Sequence, residues 1–331
     1  MYSPRRKFLV GALGAVTLGI TSSAYRSARA ATATELLLLG TQGGPNFNLT
    51  RGETASALLV DGAVYLVDCG YGTLSALARA GLSYRFVDQI FLTHLHDDHC
   101  ADVVTIVGHQ WTAGRTEPTF VHGPAGTTRL LDAALAYNAL NEEIRTVDEA
   151  RALKMADLFH ANDIPASAKP VAVMRDERVT VTACENTHYP EESKARMPHR
   201  AISYRFDTAS RSVVFSGDTS YSDNLVALAR GADVLVCEAM DVPLTRKAFE
   251  AKVADGEYAE NPEGVWHHIA GTHTSTEDAG RMAAAAGVDT LVLNHLLPGA
   301  LGAGAADEVY IEAVRRHFSG RVIVGSDQMR I

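Results

Sequence analysis

The residues best suited to chemistry in this 331-residue chain fall in one short segment, Thr93-His94-Leu95-His96-Asp97-Asp98-His99. His94 and His96 are two residues apart, so both imidazoles point to the same side of an extended chain. A helix that begins after them would bring Asp98 and His99 towards the same region. Nitrogen and oxygen donors of this kind suit a borderline metal ion, zinc above all. Because packing offers no reason to gather four costly polar groups, the segment predicts a metal site.

Strand and helix patterns alternate along the rest of the chain, and they must position this segment. Strands mixed with helices predict an α/β sandwich in which helices cover β-sheets. The spacing of Thr274 and Glu277 is that of a capping box, which predicts a helix start there. The predicted strands are Leu36–Leu39, Ala57–Asp61, Val64–Asp68, Gln89–Thr93, Thr119–His122, Val179–Glu185, Ile202–Phe206, Ser212–Ser216, Val234–Glu238, Thr290–Asn294 and Val322–Val324. The predicted helices are Thr73–Ala80, Cys100–Trp111, Thr127–Ala139, Asp223–Ala229, Thr276–Ala286 and Asp307–Phe318.

The histidine-rich segment has the His-x-His-x-Asp-His pattern, and in this it resembles the metallo-β-lactamase superfamily of hydrolases. Three later positions, each at the end of a predicted strand, resemble further motifs of that family: His188, Asp218 and His295. The resemblance runs from about Leu36 to the C-terminus. It implies the α/β class and an αββα sandwich of the metallo-β-lactamase type, with two mixed β-sheets covered by helices in a single domain over residues 31–331.

The same resemblance implies two zinc ions per chain, with Mn²⁺ and Fe²⁺ as alternative metals. Seven protein ligands for two ions leave a position for water, as a catalytic site requires. The implied ligands are His94, His96 and His188 for one zinc, and Asp98, His99 and His295 for the second, with Asp218 bridging both.

Two further segments resemble motifs of the ribonuclease Z-like phosphodiesterases and their arylsulfatase relatives. They are Cys237-Glu238-Ala239-Met240 and Gly271-Thr272-His273-Thr274-Ser275, although the first has Cys and Met in place of the usual His and Thr and the second transposes its two hydroxyl residues. The resemblance implies that His273, oriented by Glu238, protonates the leaving oxygen, and that Asp98 orients the attacking hydroxide. Asp218 is generally absent from true β-lactamases, so hydrolysis of β-lactams is not the favoured activity.

Charge is unevenly distributed along the chain. The whole sequence carries a formal charge of −9, but its first thirty residues hold five basic residues and no acidic one, so the remaining 301 residues carry −14. A protein with this negative charge lacks the basic surface of a general nucleic-acid binder, and a local basic groove is the alternative. We therefore expect a small anionic ester as the substrate and do not expect nucleic acid as a partner.

Residues 1–30 have the pattern of a cleaved export signal. Arg5-Arg6-Lys7 precedes the apolar run Phe8–Ile20, which is shorter than the roughly 20 residues that span a bilayer. Ala28-Arg29-Ala30 is typical of a cleavage site. The arginine pair resembles the twin-arginine type of signal, and an ordinary secretory signal is the alternative. We expect a periplasmic protein that begins near Ala31 and has no membrane span after cleavage.

Two segments are longer than ordinary connections, Asn141–Ala168 and Asp241–Gly271. The first fits a lid and a solvated surface segment equally well. The second leads from Glu238 to His273, which favours a lid, while the adjacent His267 and His268 on it are interpreted as incidental. The four cysteines have no Cys-x-x-Cys spacing and are predicted to be free and buried.

These inferences favour an exported dizinc metallohydrolase that cleaves phosphodiesters or aryl sulfate esters. The alternative is a dizinc hydrolase of carbon esters, a lactonase or thioesterase, which would have less need of the Glu238–His273 proton donor. A third interpretation is an exported metal-binding protein, against which the open ligand set argues. The resemblance also allows a homodimer.

Overall fold

The computed structural model describes residues 34–44, 49–258, 260–299 and 305–331, so the predicted signal at residues 1–30 lies outside the described residues. The strands are β1 (Thr34–Gly40), β2 (Ala55–Val60), β3 (Ala63–Val67), β4 (Gln89–Phe91), β5 (Thr119–Pro124), β6 (Phe159–Ile164), β7 (Val171–Arg175), β8 (Val179–Glu185), β9 (Ile202–Thr208), β10 (Ser212–Phe215), β11 (Val234–Met240), β12 (Thr290–Leu297) and β13 (Arg321–Val324). The helices are α1 (Thr73–Arg79), α2 (Asp97–Cys100), α3 (Val103–Thr112), α4 (Thr127–Asp148), α5 (Glu191–Lys194), α6 (Asp223–Ala229), α7 (Val242–Ala254), α8 (Pro262–Thr272), α9 (Thr276–Ala286) and α10 (Ala305–Arg315).

The strands form two mixed sheets with mirrored organisation. One sheet has the order β1-β2-β3-β4-β5-β6, and the other has the order β13-β12-β11-β10-β9-β8-β7. In the first sheet β1 to β3 pair antiparallel and β3 to β6 pair parallel. In the second sheet β7 to β10 pair antiparallel and β10 to β13 pair parallel. Each sheet therefore presents a row of parallel strand ends, where loops can carry a site.

Apolar side chains are buried on both faces of these sheets. In β1, Leu36 and Leu38 join the core between the two sheets, while Leu37 and Leu39 pack with α1, α3 and α4. Because successive side chains of a strand alternate between faces, a strand covered on both sides has a continuous apolar run. The second sheet is covered in the same way by α6, α9 and α10. The predicted αββα sandwich is confirmed.

Some boundaries differ from the sequence-based expectations. The predicted helix Cys100–Trp111 is divided into α2 and α3, and α4 continues nine residues beyond Ala139. Strands β6 and β7 were not predicted; each is the outermost strand of its sheet, is only partly buried and is defined by pairing with one neighbouring strand. Helix α9 is capped by Ser275, whose Oγ accepts from the Asp278 N–H at 3.1 Å, rather than by Thr274.

All four cysteines are free and buried, as predicted from their spacing. Within the described ranges, no helix combines the length and the apolar character needed to cross a membrane.

Candidate metal centre

Most of the side chains predicted to carry chemistry lie in or just after strands of the two sheets, and His273 lies between α8 and α9. The segment His94–His99 follows β4, His188 follows β8, and Asp218 follows β10. Glu238 lies in β11 and His295 lies in β12. The pairing of β11 with β12 shifts register at His295, which is held at a φ of 42°. This irregularity turns the His295 imidazole towards the other strand ends, the usual effect of a bulge beside a site.

Three histidines bring their nitrogen atoms together on one side of the site. His96 Nδ1 lies 2.9 Å from His94 Nε2 and 3.3 Å from His188 Nε2. His188 donates its Nδ1–H to the Thr272 carbonyl at 3.2 Å, which leaves its Nε2 lone pair facing the group. Burial lowers the pKa of both His94 and His188, so both imidazoles are neutral. Neutral imidazoles fixed through their second nitrogen are what a bound zinc ion requires.

A second group of donors adjoins the first. His99 Nε2 lies 3.2 Å from Asp218 Oδ1, and His295 Nε2 lies 3.2 Å from Asp218 Oδ2 and 3.3 Å from Asp98 Oδ2. Asp218 Oδ2 is also 3.8 Å from His94 Nε2, so this carboxylate touches both groups. Burial raises the pKa of Asp98, but His99 and His295 outweigh it and hold the value at about 2. Asp98 is therefore an anion.

The polar atoms of this second group fit a bound cation. His99 Nε2 and Asp218 Oδ1 are buried and make no hydrogen bond within the described part of the chain. A buried polar atom without a partner costs roughly 1–3 kcal/mol, and a metal ion between these atoms would remove that cost. The donor atoms of each group lie within 4.8 Å of one another. All seven predicted ligands are thus brought together, in the two groups that the resemblance implied.

Glu238 and His273 form a hydrogen-bonded pair beside these groups. His273 Nδ1 lies 2.7 Å from Glu238 Oε2, and Glu238 Oε1 accepts from the Thr219 N–H at 2.5 Å. Burial lowers the pKa of His273, but the Glu238 carboxylate more than offsets this and the pKa is raised above its usual value. The His273 ring is stacked on that of His295 at 5.5 Å between centroids. Glu238 therefore favours an imidazolium that can donate a proton from Nε2.

Asp68 is a member of the site that sequence reasoning missed. Its Oδ2 accepts from His99 Nδ1 at 2.9 Å, and its Oδ1 accepts from the Thr93 N–H at 2.8 Å. These contacts fix the His99 ring with Nε2 towards Asp218. The available signal was position: Asp68 directly follows β3, which pairs in parallel with β4, so it had to lie near His94 at the ends of these two strands.

Asp68→Asn is expected to weaken metal binding by about 10- to 100-fold, the usual effect of losing a partner of a ligating histidine. The Asn carbonyl can keep the bond from the Thr93 N–H, but its amide then faces His99 Nδ1–H and cannot accept from it. Competition with a chromogenic chelator measures the change. The matched control is Asp163→Asn, because Asp163 accepts from Thr128 N–H at the exposed start of α4. Unaltered affinity in Asp68→Asn would show that His99 needs no such partner.

Helices α7 and α8 lie in the predicted lid segment, and α8 borders a cavity beside the donor groups. The cavity has a volume of about 230 Å³. His268, interpreted from sequence as incidental, is one of its walls, and burial lowers the pKa of this histidine to about 4. Sequence could not place it, because the orientation of α8 is set by tertiary packing. The cavity is lined by Gly44, His96, Asp97, Asp98, Asp218, Tyr258, Val265, His268, Ile269, His273 and Leu297.

Comparisons with known proteins agree with this geometry. The family model of the beta-lactamase superfamily domain matches residues 64–296. The ribonuclease Z of Mycobacterium avium (strain 104) is 33% identical over 304 residues, which cover 90% of this chain and 97% of that protein. The ribonuclease Z of Mycobacterium bovis (strain BCG / Pasteur 1173P2) is 30% identical over 301 residues, with the same coverage of 90% and 97%.

Two solved structures share the fold over nearly their whole length. The short form of human tRNase Z matches with a TM-score of 0.62 at 22% identity, covering 90% of this chain and 98% of that one. The metallo-beta-lactamase fold protein YhfI from Bacillus subtilis matches with a TM-score of 0.61 at 19% identity, with the same coverage. At these identities the likeness concerns the fold alone.

The prediction that nucleic acid is not a partner is wrong, because the relatives that match 90% of this chain are named ribonuclease Z. The prediction relied on the net charge of −14 outside the first thirty residues and on the expected export. Net charge averages the whole surface, whereas a hydrolase contacts a phosphodiester at one concave site, where bound cations change the local charge. Acidic residues elsewhere on the surface therefore do not exclude an RNA substrate.

Proposed function

This chain belongs to the metallo-β-lactamase superfamily, in which it is a ribonuclease Z-like hydrolase, and on that basis we propose that it is a dizinc phosphodiesterase acting on RNA. The observation that carries the proposal is the Glu238–His273 pair beside the two donor groups. The leaving oxygen of a nucleotide is a poor leaving group that needs a proton as its bond to phosphorus breaks. A raised His273 pKa, caused by Glu238, supports that role. A carbon-ester hydrolase would have less use for this pair.

The nitrogen-rich donor set favours zinc over Mn²⁺ and Fe²⁺. When bound, the two ions would supply Lewis-acid polarisation of the ester and lower the pKa of the attacking water. The residues that would hold the first ion are His94, His96 and His188, and those that would hold the second are Asp98, His99 and His295, with Asp218 between the two.

The chain's own residues then direct the hydrolysis. Asp98 orients the attacking water by accepting its hydrogen bond. This water releases one proton to solvent, and its oxygen bonds to phosphorus while the bond from phosphorus to the leaving oxygen breaks. His273 Nε2 gives its proton to that oxygen and is reprotonated from solvent. One water is consumed for each bond cleaved, and Glu238 keeps the His273 ring oriented throughout.

A substrate comparison tests this proposal. The mature protein, with its metal content measured, is assayed on RNA, bis(4-nitrophenyl) phosphate, 4-nitrophenyl sulfate and an acyl lactone. We expect hydrolysis of both phosphodiesters, its loss with a chelator, and its return with zinc. Turnover of the lactone without either phosphodiester would favour the carbon-ester alternative. No turnover of any substrate with zinc or manganese supplied would support a metal-binding protein instead.

We also propose that residues 1–30 direct export by the twin-arginine route, which supports a periplasmic location. The double substitution Arg5→Lys and Arg6→Lys is expected to leave the protein in the cytoplasm, because that route reads the arginine pair whereas an ordinary secretory signal needs only positive charge. Cell fractionation followed by immunoblotting measures the distribution. The single change Lys7→Arg, which leaves the pair intact, serves as the control. Undiminished export of the double variant would identify an ordinary secretory signal.

A further inference from the structure

Helix α8 is fixed against the metal centre rather than lying free above it. The carbonyl of its last residue, Thr272, accepts from His188 Nδ1 at 3.2 Å. On its outer side the Trp266 ring packs on Phe249 of α7 at 5.6 Å, and the Arg246 guanidinium lies 4.7 Å from the Trp266 centroid. Helix α8 is therefore held at its C-terminal end by His188 and on its outer side by α7. Side chains on the inner face of α8 hold defined positions relative to the donor groups.

His268 is the histidine that this inner face presents to the site. Its ring centroid lies 5.5 Å from that of His188, 5.9 Å from that of His96 and 5.7 Å from that of His273. It is not a member of either donor group, yet it lines the same cavity. The mechanism above gives it no role. A polar ring held beside the proton donor is suited to contact the substrate.

The hydrogen bonds of Thr272 determine which nitrogen of His268 carries the proton. The Thr272 hydroxyl donates to the His268 carbonyl at 2.9 Å, and its oxygen lies 3.3 Å from His268 Nδ1. A hydroxyl has one proton, so towards Nδ1 its oxygen can only accept. The Thr272 oxygen therefore accepts from a proton on Nδ1, which leaves Nε2 as the ring nitrogen outside this contact. Among the described residues, none donates a hydrogen bond to that Nε2.

We propose that His268 Nε2 accepts a hydrogen bond from a substrate hydroxyl next to the leaving oxygen, which in RNA is the ribose 2′-hydroxyl beside the departing 3′ oxygen. The inference rests on the proposed phosphodiesterase function. The neighbouring rings of His273 and His268 would serve two oxygens on adjacent carbons, one receiving a proton and the other donating a hydrogen bond. The 2′-hydroxyl is the group by which a protein distinguishes RNA from DNA at a given nucleotide. His268 is thus a specificity-determining residue.

Two matched oligonucleotides test this role in the zinc-loaded enzyme. One is RNA throughout, and the other lacks only the 2′-hydroxyl at the nucleotide whose 3′ oxygen leaves. We expect the wild type to prefer the first by about tenfold in kcat/KM, the value of one hydrogen bond. His268→Ala should lower that ratio to about one, and His268→Gln, which keeps an acceptor, should retain part of it. The control is His267→Ala, an exposed neighbour on the same helix, which should leave the ratio unchanged.

The outcomes separate this inference from the proposed function. Equal cleavage of the two oligonucleotides by the wild type would overturn the role of His268 and leave the phosphodiesterase proposal standing. Equal losses on both substrates in His268→Ala would also overturn it, because a merely structural residue has that effect. Absence of wild-type cleavage on both oligonucleotides and on bis(4-nitrophenyl) phosphate would overturn the proposed function and this inference together. Thermal melting of each variant confirms that it is folded.

Discussion

Asp218→Ala is expected to lose at least about 10³-fold in kcat/KM on every phosphodiester, because metal-ion catalysis supplies several kcal/mol and each 1.36 kcal/mol is a factor of ten. Asp218 lies within 3.2 Å of both His99 and His295 and 3.8 Å from His94. It is the carboxylate that touches both donor groups. Without this carboxylate, the second donor group has one fewer negative charge with which to bind a cation. We therefore expect the metal content to fall as well.

Metal analysis and the rate are measured on the same samples of this variant. Asp233→Ala is the matched control, because it removes the same carboxylate group at a residue that lies outside the donor groups, where it accepts from the Ser212 N–H at 2.6 Å and the Ser212 hydroxyl at 2.8 Å. It should keep wild-type metal content and activity despite some loss of stability. Adding zinc in excess distinguishes weakened binding from lost catalysis in Asp218→Ala. A variant with full metal content and a wild-type rate would exclude a bridging role for Asp218.

The first metal-binding segment was predictable from spacing, whereas the later ligands depended on the family resemblance. His94 and His96 are two residues apart, so their side chains point to the same side of an extended chain. His188 and Asp218 follow strands of the other sheet, so no rule of strand pairing joins them to His94, and the resemblance to the metallo-β-lactamase superfamily identified them. Asp68 was missed because no spacing motif drew attention to it, although it follows the strand that pairs in parallel with β4.

The positions of His268 and His295 in the site could not be predicted from the local sequence pattern. His268 reaches the site because α7 and α8 pack through Phe249 and Trp266, a contact between helices separated by a turn and invisible to periodicity. His295 was placed just after a strand, whereas β12 continues past it through a register shift. Both depend on tertiary contacts that override the local preference of the chain. The unpredicted edge strands β6 and β7 have the same cause, since neighbouring strands define them.

The largest substrate-dependent effect is expected for His273→Ala. On a diribonucleotide or longer RNA, whose leaving oxygen is a poor leaving group, the variant should lose about 10²–10⁴-fold in kcat, the usual contribution of a general acid. On bis(4-nitrophenyl) phosphate the loss should be small, because nitrophenoxide departs without a proton. His273 Nδ1 is held by Glu238 Oε2 at 2.7 Å, so the ring presents Nε2 as its donor. A leaving-group series on one metal-loaded preparation measures the dependence.

In the same experiment, Glu238→Gln removes the negative charge beside His273 while keeping a hydrogen-bond acceptor for its ring. The amide oxygen can still accept from His273 Nδ1–H, although the amide nitrogen then faces the Thr219 N–H, which loses its acceptor. The negative charge that raises the His273 pKa is gone. The kcat of this variant on RNA should therefore fall, because a smaller fraction of molecules carries the His273 proton at neutral pH, but less than that of His273→Ala. The decrease should again be larger for poor leaving groups than for nitrophenoxide. If His273→Ala instead lowered kcat equally on RNA and on nitrophenyl esters, the proton would have to come from another group. The ring would then act by positioning the substrate, and the steepness of the leaving-group series decides between the two roles.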